Sequence, residues 1–203
     1  MSARACFHIP ADVIAAECGS KLLRRDVDEM PRIRYQVAVS LDGYIAGPKG
    51  DADWIIMHPG IDLDALSAQF DTFIMGRRTF DASGATGSGS AKTFVFSRTL
   101  RPEQYPNVTV VSEVSAETVA PIRAQARKDI WLFGGGTLFR SFLDVGLVDT
   151  VEVAVMPVLL GGGVPLLADT AQQTKLEPSS HRVYKTGVVT LEYAVKKPVR
   201  KRR

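Results

Sequence analysis

The sequence predicts a three-layer α/β domain with a largely parallel central sheet and antiparallel strands closing it. Two observations carry that prediction. Short apolar runs bounded by turn residues alternate with helix-period segments through residues 33–145, the order in which crossover helices connect parallel strands and cover both faces of the sheet. Beyond that stretch only strand-like runs remain, and these read as antiparallel additions. Apolar residues make up 45% and charged residues 23% of the 203-residue chain, which supplies one sizeable core and fits one domain with extensions.

Residues 1–31 read as an N-terminal extension, mixing a short helical pattern with a charged stretch from Lys21 to Glu29. Regular patterning begins at Arg34. YQVAVS is a strand, followed by a turn-rich loop over 41–60. Residues 62–71 read as a short helix with Leu63, Leu66 and Phe70 on one face. TFIMG is a buried strand and RRTFDA opens a helix; GATGSGSA is a loop, and KTFVFS and VTVVS are strands. Ser115 begins a helix expected to run to about Lys128, with Pro121 as an irregularity inside it. DIWLF is a strand, TLFRSFLDVG a helix stopping at Gly146, and VDTVEVAVMP a long strand. RVYKTGVVTLEYAV is a hairpin turning near Thr186 and Gly187. The domain so defined covers 32–195, and 196–203 is a basic tail.

The stretch DIWLFGGGTLFR concentrates the functional signal. Its apolar run has the character of a central parallel strand, and ligands of open α/β sheets bind at the C-terminal ends of such strands. Gly134, Gly135 and Gly136 stand at that end and lead into a helix, whose unpaired N–H groups and dipole favour an anion. Two further junctions repeat the theme. Met75-Gly76-Arg77-Arg78-Thr79 and Phe96-Ser97-Arg98-Thr99 also follow buried strands, and their arginines and hydroxyls suit a phosphate. No G-x-G-x-x-G or Walker sequence is present, so the glycines point to an anionic ligand without naming it.

Taken together, SLDGYIAGPKGDADWI, FIMGRRTF, FVFSRTL and WLFGGGTLFRSFLDVGLVDTVEVAVMPVLLGGG resemble the dihydrofolate reductase superfamily. The closest branch is the C-terminal reductase domain of bifunctional riboflavin-biosynthesis enzymes and its stand-alone relatives. The resemblance covers residues 32–195 and implies a dihydrofolate reductase-like fold and an NADPH-dependent oxidoreductase. By the same likeness, Gly134, Gly135, Gly136, Thr137 and Leu138 match the segment around the cofactor's pyrophosphate and nicotinamide end. Gly76, Arg77, Arg78 and Thr79 match the helix start that holds phosphates. Ser97, Arg98 and Thr99 match the strand end beside the adenosine 2′-phosphate, and Val37 and Ala38 match first-strand positions near the nicotinamide. No acidic residue stands at FVFS to accept ribose hydroxyls, which agrees with NADPH over NADH.

On the substrate side the likeness implies a mobile loop over 40–54, with Asp42, Asp53 and Trp54 at its substrate end. True dihydrofolate reductases carry a carboxylate on the helix after that loop, where this chain offers Asp62 and Asp64. The substrate expected is a small pterin-like or pyrimidine-like molecule with a conjugated carbonyl or imine. The zinc deaminase signature that accompanies such reductases in riboflavin biosynthesis is absent. A phosphosugar substrate would need basic groups at the pocket mouth, for which Lys49 is the candidate. The resemblance also implies a homodimer.

Two other readings compete: a nucleotide-binding module without turnover, and a nucleic-acid-associated protein. The second rests on the tail alone. Lys196, Lys197, Arg200, Lys201, Arg202 and Arg203 carry six positive charges against a net charge of +3, so the rest of the chain is net acidic. Nucleic acid is therefore not expected as a partner, nor is a membrane, since no apolar run approaches spanning length. Cys6 and Cys18 are the only cysteines and form no framework or metal pattern, so a cytoplasmic protein without metal is expected.

Overall fold

The computed structural model describes residues 30–57, 59–84, 91–169 and 173–197. The N-terminal extension up to residue 29, both cysteines, most of the GATGSGSA loop and the last six residues of the basic tail lie outside the described residues.

Eight strands form one sheet, in the order β5-β4-β3-β6-β1-β7-β10-β9. They are β1 (Ile33–Ser40), β3 (Phe70–Gly76), β4 (Lys92–Phe96), β5 (Thr109–Val111), β6 (Asp129–Gly134), β7 (Thr150–Met156), β9 (Leu176–Val183) and β10 (Val189–Val195). All pairings from β5 to β7 are parallel, and β10 pairs antiparallel with both β7 and β9. The predicted sheet is therefore present, closing hairpin included. It turns at Tyr184–Val188, where Gly187 has a φ of +86° and donates its N–H to the Tyr184 carbonyl at 2.9 Å.

Alternation along the strands sorts residues between two layers. Ile33, Tyr35 and Val39 of β1 and Ile130 and Leu132 of β6 face α3 (Ala116–Gln125) and α4 (Gly136–Asp144), meeting Val119, Ile122, Phe139 and Phe142 in the main core. Tyr35 stacks on Phe139 with ring centres 3.7 Å apart. On the opposite face Met75 and Val95 pack with Phe80 of α2 (Arg77–Ser83) and with Leu100 and Val108. Also on this second face lies α1 (Leu63–Ser67), bordering a cavity described below.

Three local expectations need correction. The first helix is confined to Leu63–Ser67, started by Asp62, whose carboxylate accepts from Ala65 N–H at 2.8 Å. Phe70 is not on its face: it is the first residue of β3, 5% exposed, with its ring beside Trp131 and under the Arg34 guanidinium. Pairing of β3 with β6 from Phe70 onward wins over helical periodicity. The helix from Ser115 has a reciprocal capping box with Thr118 but ends at Gln125, not Lys128. Ala126 turns extended and buries itself, while Arg127 N–H donates to Asp71 and Lys128 to the Ala68 carbonyl. The turn-rich loop read over 41–60 contains a short strand, β2 (Tyr44–Ala46), which pairs with β8 (Val164–Pro165) beyond β7.

Candidate active site

The helices α2 and α4 leave neighbouring strands at the same edge of the sheet, with Met75 of β3 opposite Gly134 of β6. They then pass to opposite faces, so their first turns flank the sheet edge. A Cβ on Gly76 would lie 3.8 Å from the Gly134 carbonyl oxygen and 4.0 Å from Gly135 N, which measures how closely the two turns approach. No side chain caps either helix start, and neither first turn holds an acid. The α4 N–H groups at Gly136, Thr137 and Leu138 thus have no capping side chain.

The three glycines have different reasons to be there. Gly134 sits at φ +127° and joins Gly135 through a cis peptide. At Gly136 a Cβ would fall 2.4 Å from the Pro165 carbonyl oxygen, so close backbone packing excludes any side chain. Gly135 meets only ordinary contacts, with the Thr79 hydroxyl at 3.5 Å and Ile45 at 3.9 Å from its would-be Cβ. It is the glycine that neither conformation nor packing explains.

The predicted cationic groups divide similarly. Arg77 is held by Asp81 in an i,i+4 pair at 2.7 Å. Arg78 and Arg98 are exposed, with no ion-pair partner among the described residues. Ser97 is a turn-former: its hydroxyl accepts from Thr99 N–H at 3.2 Å and Leu100 N–H at 3.0 Å, fixing the backbone that presents Arg98.

Val37 and Ala38 lie where the sheet opens. The β1–β6 ladder covers only Ile33 to Tyr35, whereas β1 remains paired with β7 to Ser40. The two central strands thus part toward their C-terminal ends, and the Trp131 indole N–H donates across the gap to the Gln36 carbonyl at 3.0 Å.

Against the same strands lies a cavity of about 570 Å³, lined by Gln36, Val37 and Ala38, by Ala154 and Met156 of β7, and by α1 with residues 55–57. Its floor holds a buried ion pair. Arg34 donates from Nε and Nη2 to the two Glu152 oxygens, each at 2.6 Å, and also to Gln69, while Thr150 donates to Glu152. Both partners are 8% exposed at the side chain, and Arg34 Nη1 also donates to Asp129 at 3.3 Å, so each of its three nitrogens is engaged.

The substrate-side residues are not gathered in this cavity. Asp42 uses both oxygens to hold the loop after β7: Leu160 N–H at 3.1 Å, Gly161 N–H at 2.7 Å, and the Ser40 hydroxyl at 2.6 Å. The Ser40 bond foremost, with those two N–H groups, holds its carboxyl down to about 2. Trp54 donates to the Asp51 carbonyl, Asp53 is exposed, and Lys49 stands outside the cavity lining. Asp62 lines the cavity and Asp64 does not.

The Asp42 clamp is one end of a strap. Leu41 N–H donates to Val158 O, Leu166 N–H to Gly43 O and Tyr35 OH to Leu166 O; β2 and β8 pair between these points. Pro165 and Leu166 then press on Gly136. Sequence reasoning missed this connection, and it missed Arg34, Gln36, Trp131 and Glu152 as lining residues. A signal existed: Arg34, Gln36 and Glu152 are polar at alternate positions of otherwise apolar strands.

The RibD C-terminal domain family matches residues 31–190. The chain is 34% identical over 177 residues to the uncharacterized protein YyaP of Bacillus subtilis, covering 80% of this chain and 94% of that one. It spans about half of the riboflavin biosynthesis protein RibD of Mycobacterium tuberculosis, with 28% identity, 78% coverage of this chain and 52% of that protein. A crystal structure of a protein assigned to riboflavin biosynthesis in Shewanella sp. PV-4 superposes with a TM-score of 0.70 at 28% identity, covering 82% and 99% of the two chains. Dihydrofolate reductase of Enterococcus faecalis, solved in complex with NADP(H) and RAB-propyl, gives a TM-score of 0.60 at 16% identity, covering 82% and 97%, which shows the shared fold.

Proposed function

This chain belongs to the RibD C-terminal domain family, and on that footing we propose that it is an NADPH-dependent reductase acting on a small pterin-like or pyrimidine-like conjugated carbonyl or imine. The observation that carries the proposal is the parting of β1 and β6 beyond Tyr35, which leaves Val37 and Ala38 of the cavity wall on one strand end and the glycine turn on the other. A dinucleotide spanning that edge would have its phosphates at the α4 start and its reactive ring beside the cavity.

The residues present fit the cofactor. Gly135 leaves room for an approach that a side chain would obstruct, the first α4 N–H groups lack a capping side chain, and Arg78 and Arg98 are exposed cations at neighbouring strand ends. NADPH, when bound, supplies the hydride. The chain's own work is to orient: the α4 N–H groups and Arg78 hold phosphate oxygens, Arg98 takes the 2′-phosphate on a backbone fixed by Ser97, and α1 with residues 55–57 shields the reacting atoms from water. Asp62, which caps α1 and faces the cavity, is assigned the proton transfer to the substrate heteroatom. A homodimer is part of the proposal, because all eight residues of edge strand β9 are exposed and such an edge calls for a cover.

Fluorescence titration with NADPH and NADH, for the wild type and Arg98→Ala, tests the cofactor assignment. NADPH is expected to bind the wild type at least tenfold more tightly than NADH, and the variant to lose roughly ten- to a hundredfold in NADPH affinity alone, the scale of charge-assisted hydrogen bonds to one phosphate. Equal loss for both nucleotides would remove Arg98 from the 2′-phosphate, and absence of binding would end the reductase reading.

A further inference from the structure

We propose that the cavity selects an uncharged, phosphate-free planar heterocycle with a ring amide, and that Gln36 recognises it. This deepens the reductase reading and rests on it for the identity of the site.

Charge is the first observation. The described cavity lining holds two cations, Arg34 and Arg182, against three carboxylates, Asp62, Glu152 and Glu192. Arg34 is engaged at all three nitrogens by Glu152, Gln69 and Asp129. Arg182 lies over the Tyr184 ring at 5.1 Å, on the exposed strand β9. A doubly charged phosphate entering here would meet more negative than positive charge and find no unengaged guanidinium fork on the floor. The glycine and arginine junctions that suit phosphate belong to the cofactor edge, not to this cavity.

Shape and polarity are the second. Ile55, Ile56, Ile61 and Leu66 wall one side and Ala38, Ala154 and Trp131 lie on the strand side, a slot suited to a flat ring with few polar atoms. The third is Gln36. Its side-chain oxygen is buried without a hydrogen-bond partner, while its neighbours on the floor are all paired. A buried acceptor left open in an otherwise satisfied network calls for a donor. The amide of Gln36 offers an acceptor and donors on one planar group, the complement of a ring N–H beside a ring C=O. A ring amide docked there satisfies the open oxygen and returns a second bond from Nε2.

Lumazine, a neutral fluorescent pteridine-dione, is the probe, with 1,3-dimethyllumazine to remove both of its ring N–H groups, and uridine and uridine 5′-monophosphate as competitors. Wild type should bind lumazine and lose about tenfold when both ring nitrogens are methylated. Gln36→Leu should bind lumazine about tenfold less tightly and become indifferent to the methyl groups, a coupling that a merely structural residue would not produce. Uridine 5′-monophosphate should displace lumazine no better than uridine, and Arg182→Ala should change neither. NADPH titration of each variant runs in parallel, so loss of cofactor binding by the wild type strikes the reductase reading, whereas the lumazine coupling judges Gln36 alone. No lumazine binding to wild type, equal methyl sensitivity in Gln36→Leu, or a tenfold preference for the monophosphate that vanishes in Arg182→Ala would each overturn the proposal. The competitor ratio is read on wild type and needs no variant to fold.

Discussion

Replacing Gly135 and Gly136 separately by alanine should separate binding from packing within one tripeptide. At Gly136 the new methyl would sit 2.4 Å from the Pro165 carbonyl oxygen and 3.0 Å from that of Leu166. Carbon–oxygen contacts settle near 3.3 Å or more, so one backbone must retreat by roughly 1 Å. Both are held: Gly136 by the start of α4, and Leu166 by its hydrogen bonds to Gly43 and Tyr35. Overpacking of this kind costs about 1–3 kcal/mol, and the small helical preference of alanine at a first-turn position does not offset it. A loss of about 2 kcal/mol lowers Tm by roughly 4–8 °C in a domain of this size. At Gly135, with φ of −89° and nearest contacts of 3.5 and 3.9 Å, alanine should leave the urea midpoint nearly unchanged while weakening NADPH binding at least tenfold. Urea unfolding and NADPH titration on both variants read the two effects. Gly136→Ala as stable as wild type, or Gly135→Ala with full NADPH affinity, would refute the division of roles.

Glu152→Ala should cost about 3–5 kcal/mol in urea unfolding by stranding Arg34, and Arg34→Met with Glu152→Leu should recover most of it; a double variant no better than the single would show that the pair itself carries the stability. Asp42 predicts an acid-sensitive strap. Its folded pKa, about 2, lies below the ordinary 3.8, so its contribution is complete above roughly pH 4 and is lost as pH falls through about 2. Proteolysis by pepsin at 157–163 should rise over that window in wild type, and Asp42→Asn should be cut readily at both ends of it. Asp62→Asn keeps the helix cap and should lower kcat with NADPH affinity unchanged; unaltered kcat across pH would release Asp62 from the proton transfer.

Strands were legible in this sequence because central parallel strands are continuous apolar runs, as in TFIMG and DIWLF, and each ended in turn chemistry. The first helix was overread because Leu63, Leu66 and Phe70 share helical spacing, although Phe70 is claimed by Trp131 and Arg34 from another part of the chain. The cofactor edge was legible for a similar local reason: strand, glycine or arginine, and helix start are contiguous. The strap was not, since Asp42 and Gly161 are 119 residues apart and a turn dipeptide conceals a clamp. Arg34, Gln36 and Glu152 could be seen as polar intrusions into strands, yet only the register that sets Arg34 beside Thr150, and Gln36 opposite Glu152, shows that they share a floor.

The position of β1 in the sheet has a cost during synthesis. It is the first strand of the domain to be made, yet it takes the fifth place of eight, between β6 and β7. The bond from Arg34 to Glu152 spans 118 residues. At about 5–20 residues per second, β1 waits roughly 6–24 s for its partners, with an apolar face and both edges open. Most pairings of this fold are nonlocal, which slows folding. The vulnerable interval for this protein is thus set by chain order, and a holding chaperone that meets YQVAVS as it emerges would act on the strand that later forms the cavity floor.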